Sequence, residues 1–302
     1  DHRAGSTISI PAEKLLAFMF QMSRKHGVEA TDALMRLIGE RAGLLEEHRP
    51  GQYRFLHKQL QEYLAACSLA DAENYPANLL PLIEDNAANL WETLLLVSDI
   101  SSKRQPANLW TLIDTLCPSD IKTPLDETNA WRIFIAGFVY SRAVETLSQL
   151  PPHGDPTVGR LRQWLLRVID DPTVSADMRG MSGQNLGGVG DPRPQVMTIR
   201  GMSFCYIPAG TYEVKQSDWV SVSVPYPYWI GEYPVTQAQM GEFFRDHPEA
   251  QPKTHGFAPT GPSFPYGEPH SWPVAQAFCE WMTLEYGQYL PRGYQFCLPS
   301  ED

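Results

Sequence analysis

No run of apolar residues in this chain approaches the ~20 needed to cross a bilayer; the most apolar stretch is IFIAGFVY, residues 133–140, which reads as a buried helix. There is no excess of positive charge. Lys and Arg number 24 against 35 Asp and Glu, a formal net charge of −11, so general affinity for nucleic acid or an anionic membrane is not expected. There is no CxxC pair. The five cysteines, Cys67, Cys117, Cys205, Cys279 and Cys297, are odd in number and widely spaced, which argues against both a disulfide framework and a zinc site. The first residues, DHRAGSTISI, show no basic segment followed by an apolar one, so no signal peptide is read there. Free thiols and a cytoplasmic location are the expectation. No Gly-x-x-x-x-Gly-Lys-Ser/Thr occurs; the glycine-rich stretch GMSGQNLGGVGDPRPQV, residues 180–196, contains no lysine to neutralise phosphate.

What is present divides into two regions of different periodicity. Residues 1–195 carry apolar positions at helical spacing: Leu15, Leu16, Met19 and Met22 after Pro11; Leu34, Leu37 and Ile38 after Thr31; Leu56, Leu60, Tyr63, Leu64 and Cys67; Leu90, Leu94 and Leu95; Leu109, Leu112 and Leu116; and Leu161, Trp164, Leu165 and Val168. No strand pattern competes, so this region is expected to be all-α, built of antiparallel helix pairs. Residues 183–196 are read as the end of the helical region. From Val196 the pattern shortens. MTIRGMSFCYIPAG, residues 197–210, predicts a short strand pair, and Val220, Val222 and Val224 alternate with serines as in a strand with one buried face. Thr236 is placed to cap a helix reaching Phe244, and Ser271 to open another carrying Ala275, Phe278, Trp281 and Met282 on one side. Strands mixed with helices imply an α+β domain over 196–302.

Four ordered segments of this second region resemble the formylglycine-generating-enzyme (sulfatase-modifying-factor) family, a variant of the C-type-lectin fold. They are FCYIPAGTYEV (204–214), YPYWIGEYPVTQAQMGEFF (226–244), HSWPVAQAFCEWM (270–282) and CLPSED (297–302). The resemblance carries over Pro208, Gly210, Pro234, Thr236, Trp272, Phe278, Cys279 and Trp281 as structural motif positions. Pro208 and Gly210 suit a turn, the glycine by permitting positive φ. Trp272, Phe278 and Trp281 supply apolar area for a core. Two positions depart from the family pattern: Val274 where an Asp is common, and Cys297 where an Arg usually opens the motif. The family oxidises a substrate cysteine with a copper-binding cysteine pair. The resemblance implies that this pair would lie beyond Asp302, so no catalytic residue is assigned, and neither a metal nor another cofactor is expected within these residues.

A second resemblance covers RAGLLEEHRPGQYRFLHKQLQEYLAACSLA, residues 41–70. It is similar to the segment that follows the nucleotide-binding core of NACHT-type signalling NTPases, where a winged-helix-like hairpin runs into a motif matched here by Phe55, His57, Gln61, Glu62, Tyr63, Leu64, Ala65 and Ala66. NLWETLLLV (89–97) and GDPRP (190–194) look like parts of the helical arms joined to such cores. Together the two resemblances imply a helical arm, residues 1–195, and the N-terminal half of a recognition domain, residues 196–302, from a bacterial signalling or defence protein. The expected partner is a protein or small-molecule ligand, with Phe257, Phe264 and Tyr266 as candidate contacts. ATP, and oligomerisation through the NTPase core, would enter only with such a core upstream. Two alternatives stay open: an oxidase completed downstream by the copper-binding cysteines, and a scaffold displaying a variable surface. His57 is read as a solvated or hydrogen-bonded histidine, and His247, His255 and His270 stand at no ligand spacing.

Overall fold

The computed structural model describes residues 9–22, 44–104, 107–146, 155–215, 219–251, 261–267 and 272–299. The chain forms two compact units, Asp1–Thr115 and Leu116–Asp302, and is mixed α+β in both. The segment following Thr31 lies outside the described residues.

The first unit corrects the all-α expectation. Strand β1 (Ile10–Pro11) leads into helix α1 (Ala12–Met22), and β2 (Leu45–Arg49) and β3 (Gln52–Phe55) form a hairpin. The three make an antiparallel sheet in the order β1-β3-β2, with Leu15 and Leu45 buried against Ile10, Tyr53 and Phe55. The hairpin escapes a periodicity search because its strands read LEEHR and QYRF. Turn chemistry makes it instead: Gly51 sits at φ 73°, a region costly for residues with a Cβ, and its amide donates to Glu47 Oε1 at 2.7 Å.

Helix α2 (Lys58–Ala70) follows, then α3 (Leu80–Arg104), which bends at Asn86 (φ −162°, ψ 64°), and α4 (Ala107–Leu116). Helices α2 and α3 pack together, and Ser101 Oγ donates to Tyr75 Oη at 2.9 Å. The apolar stripe expected on α2 is only partly internal. Ala66 is its buried residue, whereas Leu56, Tyr63 and Leu64 are exposed.

The second unit opens with three packed helices, α5 (Glu127–Thr146), α6 (Pro156–Asp170) and α7 (Ala176–Val189). The apolar run at 133–140 is internal as expected, with Ile133, Phe134, Ile135, Ala136, Val139 and Tyr140 all buried. Helix α6 begins where Asp155 accepts from the Thr157 amide at 2.8 Å with Pro156 in the first turn, a combination that satisfies one orphan donor and removes another. The predicted stripe Leu161, Trp164, Leu165 and Val168 is fully buried.

Helix α7 is a correction. The sequence suggests a break from residue 183, yet residues 176–189 are helical. Ser175 caps the helix by accepting from the Met178 amide, and Asn185 Nδ2 donates to the Phe134 carbonyl of α5 at 2.9 Å. The glycines lower intrinsic helix propensity but let neighbouring groups approach. A Cβ on Gly187 would fall 2.7 Å from the Phe264 ring, and one on Gly188 would fall 2.5 Å from Ser141 Oγ. The real break is Gly190, at φ 96°. Beyond it, the Arg193 guanidinium clasps the nearly buried Asp191 carboxylate, with Nη2 to Oδ2 at 2.7 Å, and α8 (Pro194–Met197) follows.

Four strands come next: β4 (Phe204–Ile207), β5 (Gly210–Lys215), β6 (Trp219–Val224) and β7 (Tyr228–Gly231). They form two separate antiparallel ladders, β4 with β7 and β5 with β6. The strand pair expected within 197–210 is therefore not formed. Residues 198–203 are irregular, and β4 finds its partner some twenty residues later. Gly210 is paired with Val224 inside a ladder and has no positive φ, because Pro208–Gly210 link two ladders and do not reverse one strand upon itself. The valines of β6 are a further correction: Val220 and Val222 are exposed.

Helix α9 (Gln237–Asp246) and helix α10 (Trp272–Tyr286) complete the unit. Ser271 lies outside the described residues. Thr236 caps α9 as expected, and it does more. Its hydroxyl accepts from the Gln239 amide (3.3 Å) and donates to the Val196 carbonyl (2.6 Å). Gln239 returns its Oε1 to the Thr236 amide (3.0 Å), a capping box, and its amide group donates to the carbonyls of Gln195 (2.9 Å) and Thr198 (3.2 Å). Both side chains are buried, so each broken bond would leave a polar group without water. Thr236→Val should therefore cost about 1–2 kcal/mol. The check is a urea titration in which the midpoint falls and the slope stays constant.

Candidate functional site

Of the contact residues proposed from sequence, Phe257 lies outside the described residues. Phe264 and Tyr266 sit on a loop tied closely to α9. The Gln237 amide donates to the Phe264 carbonyl (2.9 Å), the Ala238 amide to Pro262 (2.8 Å) and the Tyr266 amide to Val235 (2.8 Å). The Phe264 ring lies over Gly187, and the Tyr266 ring packs against Phe244 with centroids 5.8 Å apart. Both rings are engaged in packing and are only partly accessible.

The motif positions carried over from the family resemblance separate into two groups. Phe278 and Trp281 of α10 are buried with Met240, Phe243, Met282 and Ile199, and Cys279 and Val274 pack against that cluster. Trp272 does not join them. It is 68% exposed, because it stands at the first residue of α10 on the helix face away from α9. Pro234 is exposed two residues before the Thr236 cap, and the Pro208 carbonyl accepts from Tyr212 Oη at 2.6 Å.

Trp272 opens instead onto a groove of about 700 Å³. One wall is the outer face of α10, with Gln276, Cys279, Glu280, Thr283 and Leu284; the other is the segment Gln295–Pro299. Thr283 ties the walls together. Its hydroxyl donates to the Cys279 carbonyl (2.9 Å) and accepts from the Phe296 amide (3.0 Å). The Phe296 ring reaches inward to Phe204, at 5.9 Å between centroids. Burial raises the Cys279 thiol pKa above the ordinary range, helped by the neighbouring Cys297 and Glu280. The native thiol thus keeps its proton where the unfolded chain's would ionise. That stabilisation is present below the ordinary thiol pKa and is lost as pH rises through the native value.

A second surface lies on the two ladders. Tyr206 and Trp229 face each other in register with centroids 5.0 Å apart. Tyr228 and Ile230 continue on β7, Tyr226 precedes it, and Trp219, Val220 and Val222 are exposed on β6. Trp219 is 67% exposed. Tyr206 and Trp229 share one face of the β4–β7 ladder, while Tyr228 and Ile230 fall on the other. The sequence signal for this surface was there, in the aromatic run YPYW, but a strand's alternation does not say which face is covered.

Among the described residues no group of three His, Cys, Asp or Glu side chains is arranged to hold a metal ion. His57 is exposed at the start of α2, where its carbonyl accepts from the Leu60 and Gln61 amides. His247 contacts Glu249 at 3.1 Å and stacks near Phe243. His255 and His270 lie outside the described residues. No helix among the described residues is long and apolar enough to cross a membrane.

Comparison of the chain with protein-family models, with curated proteins and with solved structures gives no match.

Proposed function

We propose that this chain is a non-catalytic part of a bacterial NACHT-type signalling or defence protein, joining a helical arm to a formylglycine-enzyme-like, C-type-lectin-like domain that recognises a partner. The observation that carries the reading is the hairpin β2–β3 running directly into α2. Phe55 ends the second strand, His57 turns the chain, and Gln61 to Ala66 lie on the helix. That arrangement supports the resemblance to a winged-helix-like hairpin ending in the F-x-H-x-x-x-Q-E-Y-L-A-A motif, in a segment whose periodicity alone predicted no strand. The capping box at Thr236 and the buried pair Phe278 and Trp281 support the lectin-like resemblance in the same way.

Determining the reading frame on both sides tests the proposal. A Gly-x-x-x-x-Gly-Lys-Ser/Thr core upstream, binding ATP, without a cysteine pair at the family spacing downstream is the expected result. A downstream cysteine pair with copper uptake and aldehyde formation on a substrate peptide would replace it with the oxidase reading.

The recognised partner is proposed to be a protein whose docking segment is apolar and flanked by Lys or Arg. The exposed aromatics of β4, β6 and β7 supply the apolar contact, and the net charge of −11 favours a basic partner and repels an acidic one. A random peptide library selected on the full chain should yield aromatic or aliphatic sequences bordered by basic residues. Trp229→Ser should weaken the selected peptides by about 2 kcal/mol, near thirtyfold, as for a central aromatic contact. Acidic consensus peptides, or binding indifferent to Trp229, would rule this surface out.

A further inference from the structure

Two of the five thiols share the groove along α10. Cys279 is half-buried on the helix, Cys297 is exposed on the facing segment, and both line the same opening. Their nearness follows from the bonds between the walls. Cys279 and Thr283 are one turn apart on one helix face, and the Thr283 hydroxyl holds the Cys279 carbonyl at 2.9 Å and the amide of Phe296 at 3.0 Å. Cys297 is the next residue. The chain carrying it is anchored from both sides, by Thr283 and by the Phe296 ring against Phe204. The remaining thiols are placed differently: Cys117 is buried, Cys67 belongs to α2 of the other unit, and Cys205 is exposed on β4 and absent from the groove lining.

We propose that Cys279 and Cys297 form a reversible dithiol–disulfide site, with Cys297 the thiol that meets a small-molecule disulfide and Cys279 the thiol that resolves it. In the first step the Cys297 thiolate attacks one sulfur of the oxidant, glutathione disulfide being the representative. A mixed disulfide forms, the oxidant's S–S bond breaks, and one glutathione thiol leaves with the proton that Cys297 gave up. In the second step the Cys279 thiolate attacks the Cys297 sulfur. The Cys279–Cys297 bond forms, and the second glutathione leaves with the Cys279 proton. The two protein thiols are oxidised by two electrons and one glutathione disulfide is reduced to two thiols. The division of roles follows from the surroundings: the exposed Cys297 is the accessible thiol, while burial holds the proton on the half-buried Cys279, which reacts when a disulfide is brought beside it. The bond would staple the Gln295–Pro299 wall to α10 and alter the groove. This inference stands on the groove alone and is independent of the recognition reading.

The test treats the fully reduced chain with glutathione disulfide, blocks free thiols, and maps cysteine peptides by mass spectrometry. The expected result is a Cys279–Cys297 linked peptide pair, both thiols lost without added glutathione, and full recovery with dithiothreitol. Cys205, exposed without a partner in the groove, should keep its glutathione and so serves as an internal control. In Cys279→Ser the adduct should persist on Cys297. In Cys297→Ser, a change at an exposed position, Cys279 should stay largely unmodified. A parent chain that accumulates stable glutathione on Cys297, or that links Cys297 to Cys205, overturns the proposal whatever the variants do.

Discussion

Trp164→Ala should destabilise the second unit by about 3–5 kcal/mol, enough to remove a large share of the ~5–15 kcal/mol that holds a typical domain folded. Trp164 is wholly buried in the α6 stripe. Truncation deletes the ring and leaves a cavity that helices α5 and α7, fixed by the Asn185 bond and by close packing at Gly188, have little freedom to fill. It also removes the indole N–H that donates to the Pro118 carbonyl at 2.9 Å. The Arg167 guanidinium, 4.8 Å from the ring centroid and itself donating to the carbonyls of Ile121 and Thr123, loses the surface it rests on. Trp164→Phe separates these contributions: it keeps much of the volume and loses the hydrogen bond, so about 1–3 kcal/mol is expected. Denaturant titration of both variants provides the check. A cost below about 1 kcal/mol for the alanine would mean that the stripe is not packed as described.

Phe243→Ala should cost a further large amount, also about 3–5 kcal/mol, but in the other half of the same unit. Phe243 is fully buried and meets four rings, Phe244, His247, Phe278 and Trp281, with centroids between 5.0 and 5.7 Å. The Phe278 contact is edge-to-face at 89°, an arrangement that adds to the area term. This cluster is where α9 and α10 meet, so the loss should appear as faster amide exchange in both helices. Phe243→Leu should lose less, because most of the volume is kept. If exchange rose in α5 to α7 alone, the cluster would not be what joins α9 to α10.

The same packing predicts the behaviour of residues 198–302 in isolation. Removing the preceding residues strips the Val196 and Gln195 carbonyls from Thr236 and Gln239 and the Gly187 surface from Phe264. Two buried polar side chains would then lose partners. No cooperative melt is expected from the isolated segment. A sharp transition with dispersed amide resonances would contradict it.

Helices α5 and α6 of the second unit were legible because their burial is continuous. The α6 stripe and the run 133–140 put apolar residues where a 3.6-residue period meets a core, and solvent exclusion then holds the period to the structure. The Thr236 cap was legible because a local oxygen meets local amides. The groove and its thiol pair were not, since Cys279 and Cys297 are brought together by Thr283 and Phe296, and no spacing rule connects them.

The apolar stripe of α6, the apolar run of α5, the Thr236 cap and the change from helix to strand near residue 200 could be read from the residues alone, because each depends on interactions within a few residues. Long-range packing settles that the glycine-rich stretch to Val189 is helical, that β4 pairs with β7, that the valines of β6 and Trp272 are exposed, and that LEEHR and QYRF form a hairpin. In each of these cases the local preference is weak or divided, and the choice rests on what packs against the segment from far along the chain.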